Sequence, residues 1–313
     1  MGGIFISTLI AVGVLLLAAV PGYLFIKKKM VEERCIADFS KLLLYVCQSA
    51  LVIYTFAETE FSPERLASLG KFAIATLLIH AVMLLGAFLI LRKKFDSAGA
   101  RIATIAASFA NAGFFGIPII EAIMGDAASG LIVYTTVYSL VMNLLGWTVG
   151  SGIISRSRKY ISVKKLFINP YMISTIVAIP LFVFSPEVPS QIMNMITILG
   201  KATSPLSMII IGMRLATVEM KKLFCDARVY LTAAAKLVVM PLIAFALIYF
   251  FPIDSAAKAT FFIVTACPSA SIVLNFSELI GEGQKEAVSS VLMSTIMSIV
   301  TLPLLMLLLS FIL

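Results

Sequence analysis

The sequence predicts an all-α polytopic membrane protein. Of its 313 residues, 61% are hydrophobic and only 13% are charged, and the mean hydropathy is +1.07. This composition excludes an ordinary soluble domain, in which about a quarter of the residues are charged. The apolar residues form segments of about 20 residues, the length that a helix needs to cross a bilayer. Two of these segments are interrupted by proline, glycine and polar residues at matching places in the two halves of the chain.

Ten membrane spans are predicted when the apolar segments are counted from the N-terminus. The second and the sixth are shorter than the others. The lysine cluster that begins at Lys27 follows the first segment instead of preceding it, so we expect a retained span and not a cleaved signal peptide. The predicted bounds are Ile4–Ile26, Lys41–Phe56, Ala67–Leu91, Ala98–Met124, Ala127–Ile154, Pro170–Phe184, Ser190–Ala216, Tyr230–Phe251, Ala256–Ile280 and Ala287–Leu313.

Basic residues predict which connections are cytoplasmic. The connections after even spans contain only Arg65 and Lys258, among mostly acidic neighbours. By the positive-inside rule the odd connections face the cytoplasm and both termini lie outside. With five spans in each half, we expect two inverted repeats, residues 1–155 and residues 156–313. The basic residues after odd spans are Lys27, Lys28, Lys29, Arg34, Arg92, Lys93, Lys94, Arg156, Arg158, Lys159, Lys164, Lys165, Lys221, Lys222, Arg228 and Lys285.

The first interrupted segment, Ser108 to Glu121, reads SFANAGFFGIPIIE within the fourth span. Ser108 and Asn111 are polar, and Pro118 removes a backbone donor and clashes with the preceding turn. In lipid, such a break is tolerated only where neighbouring protein or a water-filled cavity satisfies the freed backbone groups. An ordinary kinked helix is the alternative interpretation.

The second interrupted segment lies in the ninth span and reads TACPSASIVLNFS from Thr265 to Ser277. Two broken spans at corresponding positions of two halves are the sequence pattern of a transporter whose substrate binds where the breaks cross. The polar and proline positions in this segment that we expect at the substrate site are Pro268, Ser269, Ser271 and Asn275.

Other classes of function have little support in the sequence. The chain has one histidine and no HExxH, GxSxG or phosphate-binding motif, so we expect no enzyme activity, no cofactor and no metal. Its four cysteines show no CxxC spacing, which argues against a zinc site or a disulfide framework. The net charge of +8 is explained by the basic connections, so we predict no nucleic-acid partner.

The run NAGFFGIPIIEAIMGD resembles the fourth-span signature of the auxin efflux carrier family. This family comprises the PIN-like carriers of plants and their bacterial relatives, which include malate and malonate permease-like proteins. The resemblance continues through INPYMISTIVAIPL, LGKATSPLSMIIIGMRLA, AAKLVVMPLIA and TACPSASIVLNFSEL, and so covers essentially the whole chain.

The resemblance implies a ten-span carrier with an elevator mechanism. Spans 1, 2, 6 and 7 would form a scaffold, through which a homodimer can form, and spans 3–5 and 8–10 a mobile core that holds the crossover. Asn111 matches the family's asparagine that is placed against the carboxylate of the bound acid, and Pro268 matches the ninth-span crossover proline. The chain departs from the plant pattern at Ala110, where those members have proline, and at Glu121, where they have a basic residue.

Hydrogen-bond donors at the breaks are the expected substrate ligands. A carboxylate at membrane depth must replace the water that it loses. Asn111 can donate through its amide, and Ser108, Ser269 and Ser271 through their hydroxyls. The half-helices that begin after each break would also direct N–H groups at the crossing point. The alternative is that these side chains only repair their own broken backbone.

Three further groups of residues are candidates for a place on the substrate path, for proton uptake or for the lining of the cavity. Lys236 has no acidic neighbour in sequence, so we expect it to face the substrate path or to bind backbone carbonyls at the crossover, whereas Lys201 is expected to reach an interface. His80 is the one residue suited to taking up protons near neutral pH, although a packed histidine is the commoner case. The expected cavity-lining residues are Tyr45, Gln48, Tyr138 and Asn143.

These observations predict a secondary or facilitative carrier of small organic anions in a bacterial inner membrane. The substrate is expected to be an aromatic monocarboxylate or a malate- or malonate-type dicarboxylate. Because no buried carboxylate pairs with the expected site, we predict that the anion's own gradient and the membrane potential drive transport. The alternatives are a sodium- or proton-coupled symporter, and a non-transporting sensor or channel-like protein. The breaks offer mostly neutral oxygens, which argues against a sodium site.

Overall fold

A computed structural model describes residues 2–125, 128–157, 167–218 and 226–311. The described chain is helical, apart from one isolated bridge, which confirms the predicted all-α class. Seven of its helices are long and apolar enough to cross a membrane. The helices are α1 Phe5–Lys27, α2 Cys35–Ala57, α3 Pro63–Lys94, α4 Ala98–Ser108, α5 Ala112–Met124, α6 Gly130–Ser155, α7 Pro170–Phe184, α8 Ser190–Thr217, α9 Ala227–Tyr249, α10 Ser255–Ala266, α11 Ile272–Ile280 and α12 Gln284–Leu309.

Each predicted span overlaps one of these helices or, at the two breaks, a pair of them, and the largest difference in a boundary is at the second span. The sixth span has the bounds of α7, but the second begins at Cys35 and not at Lys41. The extra turns carry Asp38, whose exposed side chain forms an ion pair with Lys41 at 3.0 Å. A helix can thus continue past its apolar stretch. The predicted topology markers Asp126, Arg158, Lys159, Lys164, Lys165, Lys221 and Lys222 lie outside the described residues.

Two helices break where the sequence predicts, and the breaks cross each other. α4 ends at Ser108 and α5 begins at Ala112, while α10 ends at Ala266 and α11 begins at Ile272. The two connecting segments form an antiparallel bridge between Ala110 and Ser269. The Asn111 N–H donates to the Pro268 carbonyl at 2.8 Å, and the Ala270 N–H donates to the Phe109 carbonyl at 2.9 Å. Each break therefore satisfies backbone groups of the other, as a broken helix at membrane depth requires.

The helices form one packed bundle, in which two sets are named by their contacts. α8 contacts α1 and α2, and α2 contacts α7; we call these four helices the four-helix group. α3, α4, α5, α6, α9, α10, α11 and α12 form the eight-helix group, which contains both half-helix pairs and the crossover. The groups also touch, most extensively where α1 runs along α12 and α5. The crossover thus lies in one group, facing the other.

Asp254 ties three helices of the eight-helix group at their N-terminal ends. It caps α10 by accepting from the Ala257 N–H at 2.7 Å, and its carboxylate also accepts from Ser68 of α3 at 2.7 Å and Tyr134 of α6 at 2.8 Å. Partial burial raises the pKa of this carboxyl, but the hydrogen bonds outweigh it and hold the pKa below its usual value. α3, α6 and α10 are therefore fixed relative to one another.

The four-helix group is held by direct backbone contact between α1 and α8. A Cβ atom built on Gly212 would lie 1.8 Å from the Ala19 carbonyl oxygen, and one built on Gly22 would lie 1.9 Å from the Ile209 carbonyl oxygen. No side chain fits at either position. Small residues that let two backbones approach are a common basis of helix association in membranes.

Candidate functional site

A cavity of about 330 Å³ lies between the two helix groups and reaches the crossover. That volume is in the range of small-molecule sites, about 300–1,000 Å³. None of the lining residues is an aspartate, glutamate, lysine or arginine, so the polar groups that face the cavity are neutral. They are Leu44, Tyr45, Gln48, Ala110, Asn111, Ala112, Gly113, Phe114, Ser139, Met142, Asn143, Trp147, Ile168, Asn169, Pro170, Ala270, Ser271, Ile272, Asn275 and Phe276.

Asn111 lines this cavity at the point where the two breaks meet. Its Oδ1 accepts from the Phe114 N–H at 3.3 Å, which caps the first turn of α5. Its Nδ2 donates to Ser271 Oγ on the other break at 3.4 Å, a long and weak hydrogen bond. The side chain therefore supports its own helix and still has an amide hydrogen free for a ligand. The hydrogen bond to Phe114 supports the interpretation of Asn111 as a helix cap, and the free amide hydrogen supports its interpretation as a substrate ligand.

The Trp147 indole Nε1 of α6 is a buried donor that has no hydrogen-bond partner among the described residues. The buried Ser139 hydroxyl of α6 also makes no close hydrogen bond there, although it lies beside the Tyr171 side chain. Leaving a buried donor unpaired costs about 1–3 kcal/mol, so such groups are rare in native proteins unless something binds them. Because Trp147 lines the cavity, a bound oxygen acceptor would satisfy its N–H. No sequence pattern singles out either residue, and our sequence analysis missed both.

Gln48 of α2 reaches across from the four-helix group toward the first break. A Cβ atom built on Gly113 would lie 2.4 Å from Gln48 Nε2, so a residue with a side chain at position 113 would displace the amide. Gln48 is buried and lines the cavity, as does the more exposed Tyr45 one turn earlier. α2 thus brings polar and aromatic groups of the four-helix group to within contact distance of the crossover.

Asn143 and Asn169 form an amide pair on the cavity wall. Asn169 Nδ2 donates to Asn143 Oδ1 at 3.2 Å, and Asn143 Nδ2 donates to the Ser139 carbonyl at 2.9 Å. Asn169 Oδ1 also caps α7 by accepting from the Tyr171 N–H at 2.9 Å. Asn143 therefore lines the cavity as expected from the sequence, but its amide is engaged with the protein.

The other expected ligands of the breaks divide between the cavity and the packed interior. Ser271 and Asn275 line the cavity. Ser108 does not, because its hydroxyl donates to the Thr104 carbonyl of its own helix at 2.9 Å. Ser269 is fully buried, and its hydroxyl donates to the Ala106 carbonyl at 2.8 Å. Pro268 contributes the carbonyl that accepts from Asn111. These last three residues hold the crossover together and do not face the cavity.

Tyr138, which we expected to line the cavity, lies instead in the packed interior beside His80. The two side chains are joined by a hydrogen bond of 2.8 Å between Tyr138 Oη and His80 Nε2. His80 Nδ1 lies 2.8 Å from the Thr76 carbonyl, which can only accept, so Nδ1 carries the hydrogen and Nε2 accepts from tyrosine. Both ring nitrogens are therefore satisfied with histidine neutral. Both residues are fully buried, so the packed alternative describes His80 better than the proton site does.

Lys236 is fully buried and does not line the cavity. Its Nζ donates to the Thr265 carbonyl at 2.7 Å, in the last turn of α10 just before the break. A cation at the C-terminal end of a helix interacts favourably with the partial negative charge there. Of the two roles expected from the sequence, the structure supports the binding of a backbone carbonyl and not an exposed position on the substrate path. Lys201 of α8 is exposed.

Comparison with known proteins adds one finding. A family model described as "Membrane transport protein" matches residues 7–306, which include both breaks and all the residues that line the cavity. A search of the curated proteins finds no match to the chain. In the described part of the chain, no three His, Cys, Asp or Glu side chains come together in a group that could hold a metal ion.

Proposed function

Because the chain belongs to the membrane transport protein family, which is the auxin efflux carrier or PIN-like family, we propose that it carries a small organic acid anion across a bilayer. The cavity at the crossover is the proposed binding site. The observation that carries this proposal is the unpartnered indole N–H of Trp147, which lines the same cavity as the Asn111 amide. Both groups can donate to the oxygens of an organic acid.

The lining of the cavity favours a monocarboxylate with an apolar body. A second carboxylate would need donors or a cation of its own at membrane depth, and no lining residue is charged. The walls of the cavity also carry aromatic rings, among them Tyr45, Trp147 and Phe276. Aromatic surfaces stabilise an apolar or aromatic group by burial and by ring stacking. We therefore rank an aromatic monocarboxylate above a dicarboxylate.

A panel of acids on the purified protein tests this substrate class. We expect phenylacetate and indole-3-acetate to raise the melting temperature, and malonate and malate at equal ionic strength to leave it unchanged. A ligand at 100 times its Kd stabilises the folded state by about 2.7 kcal/mol. Trp147→Phe keeps an aromatic ring but removes the N–H donor. It should therefore weaken the binding of the acid that raises the melting temperature by about ten- to a hundredfold. A shift produced by the dicarboxylates alone would refute the assignment.

For the mechanism we propose that the four-helix group is the scaffold and the eight-helix group is the mobile core of an elevator. Support comes from the crossover, which lies wholly in the eight-helix group, and from the cavity, whose opposite wall is formed by α2 and the start of α7. We keep the inverted repeats of residues 1–155 and 156–313, both termini outside, and a homodimer through the scaffold. In this orientation the cavity, which also reaches Leu44 of α2 and the start of α7 at Pro170, opens to the cytoplasm.

A further inference from the structure

Two carboxylates on the half-helices face the same helix of the four-helix group. Among the half-helices α4, α5, α10 and α11, the acidic residues are Glu121 near the end of α5 and Glu278 near the end of α11. Glu121 Oε2 accepts from the Ser204 hydroxyl of α8 at 3.3 Å. Glu278 forms an ion pair of 3.7 Å with Arg214, ten residues further along α8. α8 therefore contacts both half-helices through their carboxylates.

The two carboxylates differ in how their charge is balanced. Glu278 is exposed and has a guanidinium partner. Glu121 is partly buried and, within the described chain, has no lysine or arginine nitrogen within ion-pair distance. Lys201 of α8 and Tyr54 of α2 lie close enough to interact electrostatically with it, and Lys201 favours the charged form. α1, which also packs along α5, has no ionisable side chain between Phe5 and Leu17. Among the described residues, the hydrogen bond from the Ser204 hydroxyl is thus the one direct polar contact of the Glu121 carboxylate.

Glu121 lies on the far side of the crossover from the cavity. Ten residues separate it from Asn111, which is about 15 Å along a helix. The C-terminal end of α5 lies beside the N-terminal end of α6, where Met124, Gly130 and Leu131 line a separate cleft. The substrate cavity is lined instead by residues in the middle of α6, from Ser139 to Trp147. The contact of Glu121 with α8 therefore closes the crossover on the side that the substrate cavity does not reach.

We propose that Glu121 is a proton-binding site at the contact between α5 and α8. A partly buried carboxylate that has no cation within ion-pair distance is costly, and binding one proton on a carboxylate oxygen removes that charge. The neutral carboxyl group gains an O–H that can donate to Ser204. The neutral side chain can also pass along the apolar face of α8, whereas the ionised side chain is held near water.

The consequence for transport rests on the proposed function, because it requires the eight-helix group to move past α8. The proton would then be carried with the core, and transport of the anion would be coupled to protons. This differs from the uncoupled transport predicted in the sequence analysis, because no sequence pattern indicates that Glu121 contacts the other helix group. Proton binding itself does not depend on transport and is measured separately.

Infrared difference spectroscopy of the purified protein in lipid, recorded over a pH series without substrate, tests the proposal. We expect the carbonyl band of a protonated carboxyl group that persists at pH values where exposed carboxylates are ionised. Glu121→Gln should remove this band and Glu121→Asp should shift its frequency. Glu278→Gln is the matched control, since it changes the paired carboxylate on the same face of α8, and it should leave the band in place.

A band that survives in Glu121→Gln, or the lack of any such band in the wild-type protein, would overturn the proposal. Because no substrate is present, either result leaves the organic acid proposal to be decided by the ligand panel. Conversely, a protein that bound no organic acid and still showed the band that depends on Glu121 would retain the proton site and lose the carrier function.

Discussion

Gly212→Ala is expected to lower the melting temperature of the purified protein substantially. The added Cβ atom would lie 1.8 Å from the Ala19 carbonyl oxygen and 3.0 Å from the Tyr23 nitrogen, both of which are backbone atoms of α1. Backbone cannot rotate away as a side chain can, so α1 and α8 must separate. Overpacking of this kind typically costs about 1–3 kcal/mol and occasionally more. Thermal unfolding in detergent measures the effect.

Gly13→Ala is the matched control for this prediction. Gly13 lies in α1, and a Cβ atom built there would meet nothing within 4 Å. In a helix without a close neighbour, alanine is favoured over glycine by roughly 0.5–1 kcal/mol. The two identical substitutions should therefore change the melting temperature in opposite directions. An unchanged melting temperature in Gly212→Ala would contradict the direct backbone contact between α1 and α8.

Asn111→Ala is expected to weaken binding of the organic acid by about one to two orders of magnitude. The substitution removes the amide donor at the crossover, and the loss of a hydrogen bond to a charged group typically costs about 1.5–3 kcal/mol. It also removes the cap on the Phe114 N–H, which by itself costs about 0.5–2 kcal/mol of stability. Kd and melting temperature should be measured on the same preparation.

Asn111→Ser separates these two effects. Serine is about as good as asparagine at a helix N-terminus, so the cap on α5 and most of the stability should be kept. Its shorter side chain cannot extend as far into the cavity as the amide, so the affinity should still fall. If Kd were unchanged in Asn111→Ala while the melting temperature fell, Asn111 would be a structural cap and not a substrate ligand.

The helices and the breaks could be predicted from the sequence because both are properties of a local stretch of chain. Hydropathy locates a membrane helix, and proline with polar residues inside an apolar run locates a break. The start of α2 was missed because its first turns at Cys35 carry exposed charges, and hydropathy detects the apolar layer and not the helix.

The cavity could be predicted only in part, because it depends on which face of each helix meets a neighbour. Tyr138 and Ser139 are adjacent in α6, yet the tyrosine is bonded to His80 while the serine lines the cavity. Ser108 and Ser269 are polar residues at the breaks, but tertiary packing gives their hydroxyls carbonyl partners. Trp147 is one aromatic residue among many in an apolar sequence, and only the cavity shows that its N–H is unpaired.

Counterflow in proteoliposomes tests most directly the claim that the crossover cavity is the site of a carrier. Vesicles that contain the purified protein are preloaded with the unlabelled acid that gives the largest thermal shift, and entry of the labelled acid is followed. A carrier exposes one site alternately to the two sides, so we predict that internal acid accelerates entry of the label, and that Asn111→Ala requires a higher concentration for the same effect. Entry at the same rate with and without internal acid would contradict the account.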